Sequence, residues 1–247
     1  MLSFLCALRR RHPRQTHVFL AGNHDLAMAA FLGVAPNVDG ARADKQAAEY
    51  VPWRRNEGPL YGAPDAAGMH LQGRRWATRV AWDEHSVFQS EAAFASYGVR
   101  YAQRAALLAA LPPEHLRFLA DMRFVHECAL PRGSAGAPLA DGSGEVEVAE
   151  RLIAVHAGLL RDAPLDEQLA ALAARDTSQP FVRQLSDRAE VRPPPPELAA
   201  RRTVLVSGHH AFLEVTPWRV ILDSGGGMSD RPITALLFPG RARVASD

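Results

Sequence analysis

The sequence predicts an α/β domain of stacked β-sheets flanked by helices, and three stretches carry that prediction. Val18-Phe-Leu-Ala21, Leu152-Ile-Ala-Val155 and Thr203-Val-Leu-Val-Ser207 are short apolar runs rich in β-prone residues, the pattern of buried strands. Each hands over a glycine and a histidine or asparagine within a residue or two: Gly22-Asn23-His24-Asp25, His156-Ala-Gly158 and Gly208-His209-His210. Open α/β sheets place their chemistry outside the carboxyl ends of such strands. One histidine at a strand end is more often a hydrogen-bonded structural residue, and the Asn-His pair alone could equally cap a helix. Three repetitions of one design point to convergent ligands of a metal site.

The chain of 247 residues suits a single large domain spanning 1–247 with an ample core. Its 47% hydrophobic and 22% charged content is that of an ordinary globular protein. A net charge of +1 supplies neither a basic field for nucleic acid nor a polybasic membrane signal, so no nucleic-acid or membrane partner is expected. Cys6 and Cys128 lack metal-ligand spacing and sit in apolar contexts, which favours free thiols in a reducing compartment over a disulfide. No apolar run reaches the roughly 20 residues that span a bilayer. The opening Met1-Leu-Ser-Phe-Leu-Cys-Ala-Leu8 precedes Arg9-Arg10-Arg11, whereas a signal peptide carries its charge in front. Leu2, Leu5 and Leu8 recur at helical spacing, so this opening is expected to be a short amphipathic helix.

Taken in order, the first strand should end at Gly22, with Asp25 suited to the N-terminus of a helix running through Phe31. Residues 33–76 read as a long insertion loop around Tyr50-Val-Pro-Trp-Arg-Arg55 and Met69-His-Leu-Gln-Gly-Arg-Arg-Trp76. Its arginines beside tryptophans suit anion recognition or cation–π packing, or simply lie over an exposed loop. Glu91 to Asp121 reads as helical, broken and restarted at Pro112-Pro113. A strand follows at Arg123–Glu127, in which His126 faces solvent or caps a turn, then a hairpin loop over 129–144 and a strand at Glu145–Val148. Leu165–Arg175 is an amphipathic helix, and Arg192-Pro-Pro-Pro-Pro-Glu197 should be extended and on the surface. Two further strands, Trp218–Asp223 and Ile233–Phe238, flank a glycine-rich turn at 224–227.

In order, Gly-Asn-His-Asp (22–25), Val-His-Ala-Gly (155–158), Ser-Gly-His-His (207–210) and Leu-Asp-Ser-Gly (222–225) resemble the later motifs of the calcineurin-like metallophosphoesterases, within them the phosphoprotein phosphatase branch. The text around Gly22-Asn-His-Asp25 and Met69–Ala77 is similar, more narrowly, to the plant Rhizobiales-like tyrosine phosphatases. The resemblance covers nearly the whole chain. It implies a calcineurin-like metallophosphoesterase sandwich, two stacked β-sheets flanked by helices, with a dinuclear centre of Mn, Fe or Zn at the strand ends. It implies that Asn23, His156 and His209 are ligands of the second ion and that His24 is the general acid that protonates the leaving oxygen. The implied substrate is a phosphoprotein or phosphopeptide, most of all one bearing phosphotyrosine, and the implied location is the cytoplasm or nucleus. His210 stays ambiguous, because many phosphoesterases place a second histidine one position later, where this chain has Ala211. Asp223 is expected to order the Gly225 turn. Arg188, lying between the last two motifs, is a candidate phosphate clamp or an ordinary surface ion pair.

The family's first two motifs, Gly-Asp-x-His-Gly and Gly-Asp-x-x-Asp-Arg-Gly, occur nowhere in the sequence. With them go the ligands of the first ion, the bridging Asp, the Asp that orients the general acid and a phosphate-binding Arg. The expectation is therefore an N-terminally incomplete member of the lineage, from a truncated gene model or alternative start. It should hold one ion at most and hydrolyse little by itself. A phosphopeptide-binding module without turnover, and a nucleotidase or other small-phosphoester hydrolase, are the competing readings.

Overall fold

The computed structural model describes residues 1–35, 88–131, 149–176, 182–225, 231, 233–238 and 242–245. All but the first three residues of the expected 33–76 insertion, most of the 129–144 loop, and the strand expected at Glu145–Val148 lie outside them. The chain divides into two compact units, Met1–Arg123 with Arg175–Val182, and Phe124–Ala174 with Arg183–Asp247. The fold is α/β, with a five-stranded mixed sheet and flanking helices. Among the described residues no helix is long and apolar enough to cross a membrane.

The first unit contains five helices among its described residues: α1 (Leu2–Arg11), α2 (Asn23–Leu32), α3 (Glu91–Ser96), α4 (Arg104–Ala110) and α5 (Pro113–Asp121). Helix α1 forms where the leucine spacing places it, with Arg9–Arg11 in its last turn, where cations complement the helix dipole. Among the described residues the expected strand at 18–21 makes one parallel bridge, Leu20 to Arg123. Two hydrogen bonds support it, from Ala21 N–H to the Arg123 carbonyl (2.8 Å) and from Arg123 N–H to the Phe19 carbonyl (3.0 Å). Asp25 acts at the third position of α2, its Oδ2 accepting the Gly22 N–H at 2.9 Å. Every residue from Leu26 to Leu32 is buried, so α2 is a core helix rather than an amphipathic one.

Helix α2 ends at Gly33, whose φ of 80° allows the left-handed closure, with Val34 N–H reaching the Ala29 carbonyl at 2.8 Å. Arg104 then donates from Nε to the Phe31 carbonyl and from Nη2 to the Leu32 carbonyl (2.9 Å). These are carbonyls the helix itself cannot satisfy. Arg104→Ala is expected to cost about 1 kcal/mol, read as a lower urea midpoint at unchanged slope. No loss would show that water replaces the guanidinium without penalty.

The helical stretch expected from Glu91 is interrupted earlier than Pro112. Gly98, at φ +67°, and Ala102, at φ +62°, turn the chain between α3 and α4. The local cause is the left-handed conformation that glycine adopts freely. Phe94 packs edge-on against both Phe31 (5.8 Å) and Tyr101 (5.3 Å) across this break.

The second unit holds β1 (Val125–Ala129), β2 (Arg151–Val155), α6 (Leu165–Ala173), α7 (Arg183–Ser186), α8 (Glu197–Ala200), β3 (Thr203–Ser207), β4 (Leu213–Val215), β5 (Arg219–Leu222), β6 (Thr234–Leu237) and β7 (Ala242–Ala245). The main sheet runs β1-β2-β3-β5-β4. Strands β2, β3 and β5 are parallel, and antiparallel β1 and β4 close the two edges. Near-continuous burial of β2, β3 and β5 is what central parallel strands require. On one face Leu152, Val204 and Val220 form a cluster, covered by Trp218 and by Leu236 and Phe238 from β6 and its end. The β6–β7 sheet thus lies against the main sheet. On the other face Ile153, Val155, Leu205 and Ile221 are equally buried.

The expectation that residues 192–197 are wholly extended and exposed is not met. Pro195 is buried, and Pro196 (φ −63°, ψ −25°) already turns into α8, whose Leu198 is fully buried. A proline that fixes φ near the helical value starts a helix as readily as it extends a chain. Burial of Leu198 decides between the two here.

Candidate metal centre

Parallel pairing sends β2 and β3 out at the same edge of the sheet, with Ala154 opposite Val206. One residue past β2 stands His156, and two past β3 stands His209. Gly208 N–H donates to the His156 carbonyl at 2.9 Å, which fastens the two strand ends together. His209 has φ +69°, a left-handed conformation that non-glycine residues rarely adopt, and Ala211 follows at φ +61°. Such strain clusters where the surrounding structure must aim a side chain. Here it accompanies a T-shaped meeting of the His156 and His209 rings, centroids 5.0 Å apart, with His209 Nδ1 3.2 Å from His156 Nε2.

The other nitrogen of His209 identifies its tautomer. Nε2 lies 3.1 Å from the Ser186 carbonyl, which can only accept, so Nε2 carries the proton and Nδ1 presents its lone pair toward His156. A backbone carbonyl holding the far N–H of an imidazole is the usual support of a metal-ligating histidine. Burial, with the positive charge of Arg188 adding to it, lowers the His209 pKa to about 4, so the ring is neutral at pH 7. A neutral imidazole is the form that binds a cation.

His210 stands edge-on to His209, ring centroids 5.9 Å apart, with its Nε2 committed elsewhere. It is buried, and its Nε2 donates to the Ala157 carbonyl at 2.8 Å. Its pKa is lowered by burial, with the charges of Arg219, Arg188 and Arg192 acting in the same direction. Asp223 orders two turns, Oδ2 accepting the Ala211 N–H (2.9 Å) and Oδ1 the Gly225 N–H (3.2 Å). Arg188 is exposed, and among the described residues no carboxylate lies within ion-pair distance of it. Its charge instead acts on His209 and His210.

In the first unit, Asn23 and His24 open helix α2. His24 is solvent-exposed along part of its surface, and its ring stands edge-on to Phe88, centroids 5.1 Å apart. Desolvation lowers its pKa, while the Asp25 charge and a hydrogen bond to the Phe88 backbone oppose that shift. Burial raises the Asp25 pKa, against the stabilising Gly22 N–H.

Sequence reasoning missed three supports of the pair. Gln184 accepts the Ala157 and Gly158 N–H groups through its carbonyl, at 3.0 and 3.2 Å. The buried Gln168 amide binds Leu160 through both its N–H and its carbonyl (2.7 and 2.9 Å), and the Ala163 carbonyl at 2.9 Å. Arg219 donates to the Ala157 carbonyl just past β2 and to Ser207 Oγ at the end of β3. The one available signal was Arg219 itself, a charge inside the apolar run Trp218–Leu222.

The donor chemistry of His156 and His209 fits two ligands of a single borderline ion such as Zn, Mn or Fe. Among the described residues no group of three or more His, Cys, Asp or Glu is placed to hold an ion. No protein-family model matches the chain, and no curated protein matches it.

Proposed function

We propose that the chain belongs to a metal-dependent phosphomonoesterase lineage of the calcineurin-like type whose substrate is phosphotyrosyl protein or peptide, and that this chain, without the family's first two motifs, hydrolyses little by itself. The observation that carries this reading is the His156–His209 pair: two imidazole nitrogens 3.2 Å apart at the ends of adjacent parallel strands, one with its tautomer fixed by Ser186. The order of the four motifs and the stacking of β6–β7 on the main sheet support the sandwich form of the fold. A bound ion would supply Lewis acidity and an activated water.

The chain's own residues contribute the rest. His156 and His209 would hold such an ion as neutral donors. Arg188, whose forked donors match phosphate geometry, takes phosphate oxygens. The motif resemblance assigns His24 the proton for the leaving oxygen, and its lowered pKa would confine that role to the acid side of neutrality.

The test is hydrolysis of a phosphotyrosine peptide with Mn²⁺, by this chain and by a version carrying the two family motifs upstream. Turnover is expected in the longer form alone, and His24→Asn should reduce it by about 10²-fold or more. Binding of the peptide without turnover by either form would favour the non-catalytic module. Turnover by this chain itself would overturn the two-ion account.

A further inference from the structure

Arg219 heads the fully buried side chains by volume, at 1% exposure, and among the described residues no carboxylate lies within ion-pair distance of it. A guanidinium taken out of water with no carboxylate against it, Glu214 acting on it only at longer range, is costly, and an apolar residue would fill the same space without that cost. What an apolar residue could not do is donate hydrogen bonds. Nη2 donates to the Ala157 carbonyl (3.1 Å) and to Ser207 Oγ (2.8 Å), Nη1 to the Val220 carbonyl (3.1 Å), and Nε to the Arg192 carbonyl (3.2 Å). Ala157 follows His156, and Ser207 precedes Gly208-His209. The Ala157 carbonyl also accepts His210 Nε2–H, so one oxygen joins the third histidine to the same fork. Arg219 reaches these groups because it pairs with Leu205 across the sheet and so stands on the face that carries Ser207.

We infer that Arg219 is a positioning residue for the His156–His209 pair, its rigid planar fork holding the ends of β2 and β3 at the separation that brings the two imidazoles together. The inference rests on the metal-ligand reading of that pair. Arg219 touches neither ring and no reacting atom; it acts through Ala157 and Ser207. Lysine, with a single ammonium on a flexible stem, can reproduce some of these bonds and not their common plane.

The experiment compares Arg219→Met, Arg219→Lys and Ser207→Ala with the parent chain, all checked for folding by circular dichroism. The first readout needs no metal: histidine side-chain NMR, following the Nε2–H tautomer of His209 and the cross-relaxation between the His156 and His209 ring protons. Both should be lost in Arg219→Met and partly restored in Arg219→Lys. Retention of both in a folded Arg219→Met overturns the inference. Where Arg219→Met does not fold, Ser207→Ala decides, since it removes one acceptor and leaves the guanidinium in place. Shifted and broadened His209 ring signals support the inference, and unchanged signals overturn it.

The second readout is Co²⁺ affinity and its visible absorption. Weakening of about tenfold or more is expected in Arg219→Met, the range seen when supports behind a metal ligand are removed. Failure of the parent chain to bind Co²⁺, or binding indifferent to His156→Ala and His209→Ala, overturns the metal reading. The ring contact then still decides for or against Arg219.

Discussion

Gly158→Ala is expected to destabilise the second unit by about 3 kcal/mol and to disrupt the His156–His209 pair along with it. A methyl group built at Gly158 would lie 2.1 Å from the Val191 carbonyl oxygen and 3.0 Å from Val191 Cβ. Neither side can easily give way. Gly158 N–H is held by the Gln184 carbonyl, Val191 is fully buried, and the next carbonyl, of Arg192, is held by Arg219. The φ of +156° adds backbone strain for any side chain. Gly98→Ala is the contrast: its φ of +67° is unfavourable, yet nothing lies within 4 Å of the added carbon. It should cost only about 1 kcal/mol. Urea unfolding of both variants checks the pair of values, and near-equal losses would mean that the 157–158 turn does not approach Val191 closely.

The metal-free protein is expected to lose stability as the pH falls from about 6.5 toward 4, and His209 is the main cause. Its folded pKa of about 4 lies below the ordinary 6.5, so in that window the unfolded chain binds a proton that the folded chain refuses. Stability therefore rises with pH across the window and is fully present above it. Unscreened, the shift corresponds to about 3 kcal/mol; with partial solvent access, on the order of 1.5 kcal/mol is the better expectation. His210, shifted the same way, adds to the effect in the same unit. In the first unit His24 acts in that direction too, while the raised pKa of Asp25 opposes it by favouring the folded state on the acid side. Unfolding measured at pH 7.0, 5.5 and 4.5 should give a falling midpoint (about these values chosen to bracket the window), and His209→Gln should flatten the slope. A slope unchanged by that substitution would assign the acid sensitivity elsewhere.

The sheet's working edge was readable because each strand end there is written locally: an apolar run, then glycine and histidine. Strand β3 falls on Thr203–Ser207 as its residues predict, and helices α1 and α6 follow their leucine spacing. What the sequence hid depends on contacts remote along the chain. The 18–21 run is as β-prone as its counterparts, yet among the described residues it finds only Arg123 as a partner and makes a single bridge. Strand β4 has three residues and no pattern of its own; it exists because β5 offers an edge. The buried state of Pro195 follows from Leu198, not from proline. At the site, the meeting of His156 with His209 was legible from motif order, whereas the role of the Ser186 carbonyl was not, since a backbone acceptor has no signature in the sequence. At His210, which the motif left ambiguous, the structure adds one hydrogen bond, from Nε2 to the Ala157 carbonyl.

The register of the parallel strands also sets when the site can come into being during folding. Strand β4 reaches β5 through a short local loop, pairing Val215 with Val220. Leu152 must instead find Val204, with α6, α7 and α8 strung between them. Closing so long a loop is entropically slow, and non-local pairing of this kind delays folding more than any local element does. The two imidazoles sit beyond that late-forming seam, one on each side of it. The nascent chain therefore passes through most of its folding with the two imidazoles apart, and His156 and His209 meet only once the β2–β3 seam has closed.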